Sequence, residues 1–180
     1  IAAARLAGIE ALQRHITDNR SESAFPWAEV RIEGELEQAL ADTPAVRVED
    51  QYRDALEASR PLDRAAARTL KGPHRSDLAV VHGPKQQAAA NCSTGEQKAL
   101  LIGLILAQAY AVKAVAGAAP VLLLDEVAAH LDSQRRAGLF EALARLGSQA
   151  WMTGTDAHLF DKLGSRSQSF LVDSASLKQM

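Results

Sequence analysis

Two short segments of this chain carry residue types that suit phosphate chemistry. Residues 93–98 read Ser-Thr-Gly-Glu-Gln-Lys, and the acidic pair Asp125 and Glu126 directly follows the apolar run 121–124. A hydroxyl, a glycine and a lysine at a helix start suit phosphate oxygens, because the first turn presents free N–H groups and partial positive charge. Two carboxylates after a buried strand suit a hydrated Mg²⁺ ion and an attacking water. The sequence therefore offers two halves of a possible phosphate site.

Each segment also has a purely structural interpretation. Ser93 followed three residues later by Glu96 is a capping box, which starts a helix whatever the protein does. Asp125 and Glu126 could cap a helix that follows the strand. Adjacent carboxylates are costly to bury, however, and ligands of open α/β sheets bind at the carboxyl ends of strands. The 32 residues from Ser93 to Asp125, with a long helix between them, favour the phosphate site.

Composition narrows the class of protein. The net charge of −2 demands neither a nucleic-acid nor a membrane partner. The single cysteine excludes an intramolecular disulfide framework and a multi-cysteine zinc site, which fits a cytoplasmic protein. Lys113 and Pro120 interrupt the apolar stretches, so we predict no transmembrane helix. The chain begins with Ile1 inside a helical pattern, and we expect it to be a piece of a longer protein.

Hydrophobic periodicity predicts an α/β fold. From residue 92 onward helices and strands alternate, which favours a parallel sheet with right-handed crossovers and a central strand at 121–124 covered on both faces. We expect a mainly helical lobe at residues 1–71 and an α/β lobe at residues 72–180, divided at the breaker Gly72-Pro73. The predicted helices are 1–19, 34–43, 49–71, 94–116, 133–146 and 157–163, and the predicted strands are 25–33, 77–81, 121–124, 149–153 and 168–172.

A basic stripe is predicted before the breaker. Arg64, Arg68 and Lys71 are spaced at i, i+4 and i+7, which places them on one face if the helix continues to residue 71. Arg75 follows shortly after. Such a stripe suits a DNA phosphate backbone, although a solvated helix face explains the same pattern.

Three motifs together resemble the RecF family of bacterial recombination-mediator ATPases, which are related to SMC and Rad50 proteins and to ATP-binding cassettes. Residues 69–78 (TLKGPHRSDL) resemble the GPHR-x-DL segment of the family, and this segment separates RecF from transporters and SMC heads. Residues 92–98 resemble its signature motif, and residues 124–132 resemble its Walker B strand and D-loop. The resemblance covers most of the chain, more loosely before residue 60.

This resemblance implies a specific chemistry. ATP would bind between two subunits, with Ser93, Gly95 and Gln97 completing the site of the partner subunit. Asp125 would hold Mg²⁺ through water within its own subunit, and Glu126 would orient the attacking water. Asp132 would couple the two sites.

The resemblance also implies partners and a setting. Members of the family are weak DNA-dependent ATPases that bind DNA gap junctions as ATP-dependent homodimers. They load recombinase during replication, repair, recombination and the SOS response, together with RecO and RecR, in the cytoplasm.

Two features depart from a complete ATPase of this kind. No G-x-x-x-x-G-K-[ST] phosphate loop (Walker A) occurs in the 180 residues, so the chain resembles a C-terminal portion and is expected to be inactive alone. The histidine that usually follows the next strand is replaced by Thr155 and Asp156, of which we prefer Thr155 as the phosphate contact and Asp156 as a helix cap. His158 is expected on the surface. The alternatives are a non-catalytic interaction or dimerisation module, or another SMC/Rad50-like ATPase head.

Overall fold

Helix α4 (Thr94–Ala116) is the central element of the fold, which a computed structural model describes for residues 1–21 and 23–180. The other helices are α1 (Ala2–Asp18), α2 (Glu35–Asp42), α3 (Ala45–Ala66) and α5 (Ser133–Leu146). The strands are β1 (Ala28–Glu33), β2 (Asp77–His82), β3 (Gln87–Ala88), β4 (Leu122–Leu124), β5 (Ala150–Met152), β6 (Phe170–Asp173) and β7 (Ser176–Gln179). Short 3₁₀ turns lie at Pro73–Arg75, Gly83–Lys85, Ala89–Asn91 and Ala128–His130. A longer 3₁₀ segment with a kink at Gly164 covers Ala157–Arg166.

Helix α4 contributes to two hydrophobic clusters. Its Leu100 packs in a cluster with Leu12 and Ile16 of α1 and with β1. Its Ile102 and Leu106 belong to a second cluster built with α5, β4 and Phe25. By length and composition alone α4 could cross a membrane, and one third of its most apolar window is buried inside the fold. Its position between the two clusters accounts for its apolar composition.

An antiparallel sheet carries the first cluster. Strand β1 pairs with β2 from Ala28 opposite His82 to Glu33 opposite Asp77, and β2 pairs with β3. The alternation predicted for this segment is confirmed, because Ala28 and Val30 are buried while Glu29 and Arg31 are exposed. The pairing of β1 with β2 joins chain segments on either side of the predicted division at residue 72. The division into 1–71 and 72–180 stays a prediction, and it has to accommodate this shared sheet.

Helix α3 differs from its predicted course. It passes through Pro61, where the sequence predicts a break, and ends at Ala66, five residues early. A proline removes one backbone hydrogen bond from a helix, and the other bonds of this 22-residue helix are enough to continue it. Ala67 adopts a left-handed conformation (φ 52°) and the backbone N–H of Leu70 donates to the Asp63 carboxylate, so the chain turns away. The prediction that Arg64, Arg68 and Lys71 share one helical face is therefore wrong.

The α/β class is confirmed, although the parallel portion among the described residues is small. Strands β4 and β5 pair in parallel, with Leu122 opposite Ala150 and Leu124 opposite Met152. The long helix 94–116 and the helix 133–146 are confirmed at both ends. The predicted last strand does not join the parallel pair, because β6 forms an antiparallel hairpin with β7. Its turn residues have positive φ without being glycine or asparagine, so no turn signal stands in the sequence.

One face of the parallel pair is open, which corrects the expectation that β4 is covered on both faces. Leu122 and Leu124 are buried against α4 and α5, whereas the intervening Leu123 is 78% exposed. Val121 and Trp151 are 57% and 55% exposed. Because alternate residues of a strand point to opposite faces, these side chains form one apolar face without cover from the described residues of the chain.

Candidate functional site

The acidic pair lies at the carboxyl edge of the β4–β5 sheet. Asp125 directly follows β4, and Thr153 directly follows β5, so parallel pairing brings the two residues side by side. The Thr153 hydroxyl donates to Asp125 Oδ1 at 2.5 Å and accepts from the Glu126 N–H at 2.9 Å. The Thr153 N–H donates to the Leu124 carbonyl at 3.1 Å. One threonine thus contacts both carboxylate residues and the strand that precedes them.

Glu126 has an unusual backbone. Its φ of +53° lies in the left-handed region, which residues with a β-carbon seldom adopt. Such a conformation costs on the order of 1 kcal/mol or more and persists where surrounding contacts enforce it. Strained residues of this kind are common at functional sites. The structure therefore places local strain at the residue that the sequence predicts to be catalytic.

Asp125 has the chemistry of a magnesium ligand. Its side chain is an exposed carboxylate, and Oδ2 has no hydrogen-bond partner among the residues that the structure describes. Magnesium takes oxygen ligands and commonly binds through one or two carboxylates together with water and substrate phosphates. No group of three acidic, histidine or cysteine side chains converges anywhere in residues 1–21 and 23–180. A single carboxylate with a free oxygen fits a magnesium ion held mainly by water and phosphate.

Asp132 serves as the N-cap of α5. Its Oδ1 accepts from the Arg135 N–H at 2.8 Å, and its Oδ2 lies 3.7 Å from the Arg135 guanidinium. The turn before it is held by Arg136, which donates to the Leu131 carbonyl at 3.1 Å. The carboxylate is exposed, so capping does not hide it. Its predicted coupling role stays a prediction.

The signature segment begins α4 with the expected capping box. Ser93 is the N-cap, and its N–H donates to Glu96 Oε2 at 3.0 Å while its side chain receives the N–H of Glu96. Lys85, from the turn after β2, forms an ion pair with Glu96 Oε1. The hydrogen bond from Lys85, followed by those from Ser93, lowers the pKa of Glu96 to about 2. The same contact raises the pKa of Lys85.

Gly95 and Gln97 differ in what they contact. A β-carbon at Gly95 would meet no atom within 4 Å, so neither packing nor backbone angle within the described chain requires a glycine there. The Gln97 amide donates to the carbonyls of Ala89, Ala90 and Cys92 at 3.0–3.2 Å and so joins α4 to the preceding turn. Gly95 therefore leaves an open approach to the first turn of α4, beside a fixed loop.

The signature segment and the acidic edge belong to different hydrogen-bond networks. No hydrogen bond or ion pair among the described residues joins residues 93–98 to residues 125–132. Hydrogen bonds join Asp125, Glu126 and Thr153, whereas Ser93 and Gln97 have their own contacts at the start of α4, where Gly95 also lies.

Of the residues that follow β5, Asp156 and His158 lie where the sequence predicts them. Asp156 caps the following turn, because its Oδ1 accepts from the His158 N–H at 2.9 Å. His158 is exposed and lies 3.2 Å from Asp161. Thr155 is exposed, and its predicted phosphate contact stays a prediction. The sequence reasoning missed Thr153, because its role depends on the pairing of β5 with β4.

The GPHR segment is anchored from three helices. Arg5 of α1 donates to the Pro73 carbonyl, and the buried Glu37 of α2 accepts from the Ser76 hydroxyl at 2.7 Å. A guanidinium nitrogen of Arg5 lies 3.7 Å from the other Glu37 oxygen. Gly72 has a φ of +141°, and a β-carbon there would lie 2.6 Å from the Tyr52 hydroxyl of α3. These contacts explain why this segment needs a glycine followed by a rigid turn.

Four basic side chains lie in this segment or shortly before it along the chain. Lys71 and Arg75 line a cavity of about 500 Å³ between α2, α3 and the GPHR turn. Arg64 and Arg68 are also exposed, and none of the four forms an ion pair with another described residue. They are therefore available for an anionic partner. They do not share one helical face, because α3 ends at Ala66.

Curated relatives place the chain in a family. It is 52% identical over 177 residues to the DNA replication and repair protein RecF of Allorhizobium ampelinum, an alignment that covers 98% of this chain and 47% of the relative. Over the length that aligns, the chain belongs to the RecF family. The RecF of Mesorhizobium japonicum is 51% identical over 173 residues, with 96% of this chain and 46% of that protein covered. No family model matches the chain.

Solved structures support the same fold. The chain superposes with a TM-score of 0.72 on a structure of the recombination mediator protein RecF with ATP, at 20% identity and over 99% of this chain and 46% of that one. A structure from work on ATP-driven dimerisation of SMC ATPases gives a TM-score of 0.55 at 14% identity. That superposition covers 100% of this chain and 88% of the SMC chain. The chain spans about half the length of the RecF relatives that it matches.

Proposed function

We propose that this chain supplies the signature motif and the Walker B carboxylates of a RecF-type ATPase that acts in DNA gap repair, recombinase loading and replication. The observation that carries the proposal is the 52% identity to a RecF protein over 98% of the chain. Asp125 and Glu126 at the open edge of a parallel sheet supply the chemistry, because ligands of such sheets bind at this edge.

The acidic edge would act within its own subunit. Asp125 would hold Mg²⁺ through water with its free Oδ2, and Glu126 would orient or deprotonate the water that attacks the terminal phosphate of ATP. Bound Mg²⁺ would neutralise charge on the phosphate oxygens. Thr155 would donate a hydrogen bond from its hydroxyl to the terminal phosphate, while Asp156 caps the next turn.

The signature segment would act on the ATP of a second subunit. The first turn of α4 offers free N–H groups, and the open space at Gly95 allows a phosphate to approach the backbone closely. Ser93 adds a hydroxyl, Gln97 fixes the neighbouring loop, and Asp132 would couple the two sites. The lack of a polar contact between this segment and the acidic edge among the described residues fits an ATP-dependent homodimer with two shared sites.

This chain has no phosphate loop, so another part of the protein would have to hold the phosphates of ATP. A longer protein would supply the loop that holds the β- and γ-phosphates, and the open face at Leu123 and Trp151 would pack against that region. The division into a helical lobe (residues 1–71) and an α/β lobe (residues 72–180) belongs to the same proposal. The cytoplasm is the proposed location, as for a DNA-repair protein.

DNA would contact the basic residues around the GPHR turn. Arg64, Arg68, Lys71 and Arg75 are exposed and unpaired with other described residues, and such side chains suit phosphates at a gap junction. RecO and RecR are the proposed protein partners, on the strength of the family alone.

Two measurements test this function. We expect the 180-residue chain to show no ATP turnover, because its sequence contains no phosphate loop to hold the β- and γ-phosphates. In the longer protein that contains it, Glu126→Gln should leave ATP binding and dimerisation intact and slow hydrolysis by a factor on the order of 10² or more. Turnover by the 180-residue chain, or unchanged turnover in the Glu126→Gln protein, would contradict the proposal.

A non-catalytic dimerisation module is the second candidate, and the missing phosphate loop favours it. The coding sequence upstream decides between the two, because a phosphate loop within about 200 residues, a length on the scale of one domain, supports the ATPase. An SMC-type head is the weaker alternative, since the SMC structure shares 14% identity with the chain and the RecF relatives share more than 50%.

A further inference from the structure

We propose that Thr153 is a positioning residue that holds Asp125 and Glu126 in their working geometry through a single hydroxyl group. The inference rests on the proposed ATPase function and goes one step deeper, because that function assigns no role to Thr153. The supporting observation is the pair of hydrogen bonds at Thr153 Oγ1, one to each residue of the acidic pair.

The Thr153 hydroxyl donates one of these two hydrogen bonds and accepts the other. A threonine hydroxyl has one proton to donate, and here that proton goes to Asp125 Oδ1 while an oxygen lone pair accepts the Glu126 N–H. The bond to Oδ1 restrains the Asp125 carboxylate and leaves Oδ2 for a water or an ion. A hydrogen bond to a carboxylate is stronger than one between neutral groups.

The second bond acts on a strained residue. Glu126 holds φ at +53°, and its N–H would have to find another acceptor if Thr153 lost its oxygen. An N–H donor fixed in this way restricts the peptide that links Asp125 to Glu126. The direction in which the Glu126 side chain leaves the backbone is thereby set by Thr153 as well as by its own φ.

The position of Thr153 follows from the sheet rather than from a chance side-chain contact. Its N–H donates to the Leu124 carbonyl, so the strand pairing itself brings the hydroxyl to the end of β4. A side chain placed by main-chain hydrogen bonds is better suited to orient others than a side chain on a free loop. Thr155, two residues on, makes no such contact with another described residue and would meet the phosphate instead.

The first test is independent of catalysis and uses the 180-residue chain. NMR hydrogen exchange at the Glu126 amide should be about fivefold faster in Thr153→Val, because the acceptor is lost, and near the original rate in Thr153→Ser, which keeps the hydroxyl. Thr17→Val is the matched control, since among the described residues the Thr17 hydroxyl bonds only to Gln13 of its own helix. Equal exchange in Thr153→Val and the parent chain would overturn the proposal.

The second test uses the longer protein and separates positioning from binding. Thr153→Val should lower kcat for ATP by on the order of tenfold to a hundredfold with KM and dimerisation unchanged, because misplacement rather than loss of a ligand is involved. Thr153→Ser should restore most of the rate. Equal loss in both variants, or loss in neither while Glu126→Gln is slow, would refute the positioning role. If Glu126→Gln itself turns over normally, the ATPase proposal fails, and amide exchange alone decides the role of Thr153.

Discussion

At the scale of single residues, the signature segment is held by charge. Glu96 accepts hydrogen bonds from Lys85 and Ser93, and its pKa of about 2 lies below the ordinary value near 4.5. A carboxylate with a lowered pKa in the folded state contributes stability above its unfolded pKa, and this contribution is lost as the pH falls from about 4.5 to 2. We therefore expect the start of α4 to loosen in that window.

Lys85→Ala tests the largest contribution. The pKa of Glu96 should rise toward 4.5 without its main partner, which carboxyl NMR titration of the chain measures. Lys178→Ala on β7 is the control, because Lys178 forms no ion pair with another described residue. A Glu96 pKa that stays near 2 in Lys85→Ala would show that Ser93 alone lowers it.

Substitution of Gly95 tests whether this glycine is needed for the stability of the fold. Gly95→Ala should leave the free energy of unfolding unchanged or raise it by up to about 1 kcal/mol, because its β-carbon meets open space and alanine favours helices. Gly138→Ala is the matched contrast, since a β-carbon there would lie 2.2 Å from that of Ala24 and should destabilise the fold. Urea unfolding measures both. Destabilisation by Gly95→Ala would mean that the glycine has a structural role.

At the scale of elements, the sequence predicts the helices α1, α4 and α5 well, and α3 and the sheets less well. Helix α4 is recovered at both ends because a capping box starts it and Gly117, with a φ of +74°, ends it. The end of α3 is missed because it depends on a left-handed alanine and on the Asp63 side chain, neither of which has a strong sequence signal. Thr153 is missed because its role arises only when β4 and β5 pair. Periodicity reports which residues are buried, and pairing between distant strands has no local signal.

The contact between α1 and α2 carries its own prediction. Glu37 is buried, and one of its oxygens has Arg5 as its only nearby partner among the described residues. Arg5→Ala should lower the free energy of unfolding by roughly 2 kcal/mol, less than for a fully buried pair because Arg5 is partly exposed. Arg14→Ala, on the exposed side of the same helix, should change it by less than about 0.5 kcal/mol. Equal effects in urea unfolding would remove the ion pair from the explanation.

At the scale of the whole molecule, the open sheet face sets the behaviour in solution. Leu123 is 78% exposed beside Val121 and Trp151, and a contiguous apolar patch promotes association. Leu123→Ser should reduce light scattering of the concentrated chain with little change in unfolding free energy. Leu124→Ser, at a position only 6% exposed, should destabilise the fold by several kcal/mol, about the cost of a core truncation. If light scattering by Leu123→Ser is as strong as that of the parent chain, the chains associate through a different surface.

Each ATP site is proposed to combine the acidic edge of one subunit with the signature segment of the other. Mixing two variant subunits of the longer protein tests this most directly. Ser93→Arg should block the signature, and Glu126→Gln should block the acidic edge, so each variant alone should be nearly inactive. Mixed one to one, half of the dimers pair the two variants, and each such dimer has one intact site out of two. We predict that the mixture recovers ATP turnover to about a quarter of the parent rate. A mixture no more active than the average of the two separate variants would contradict a site shared between subunits.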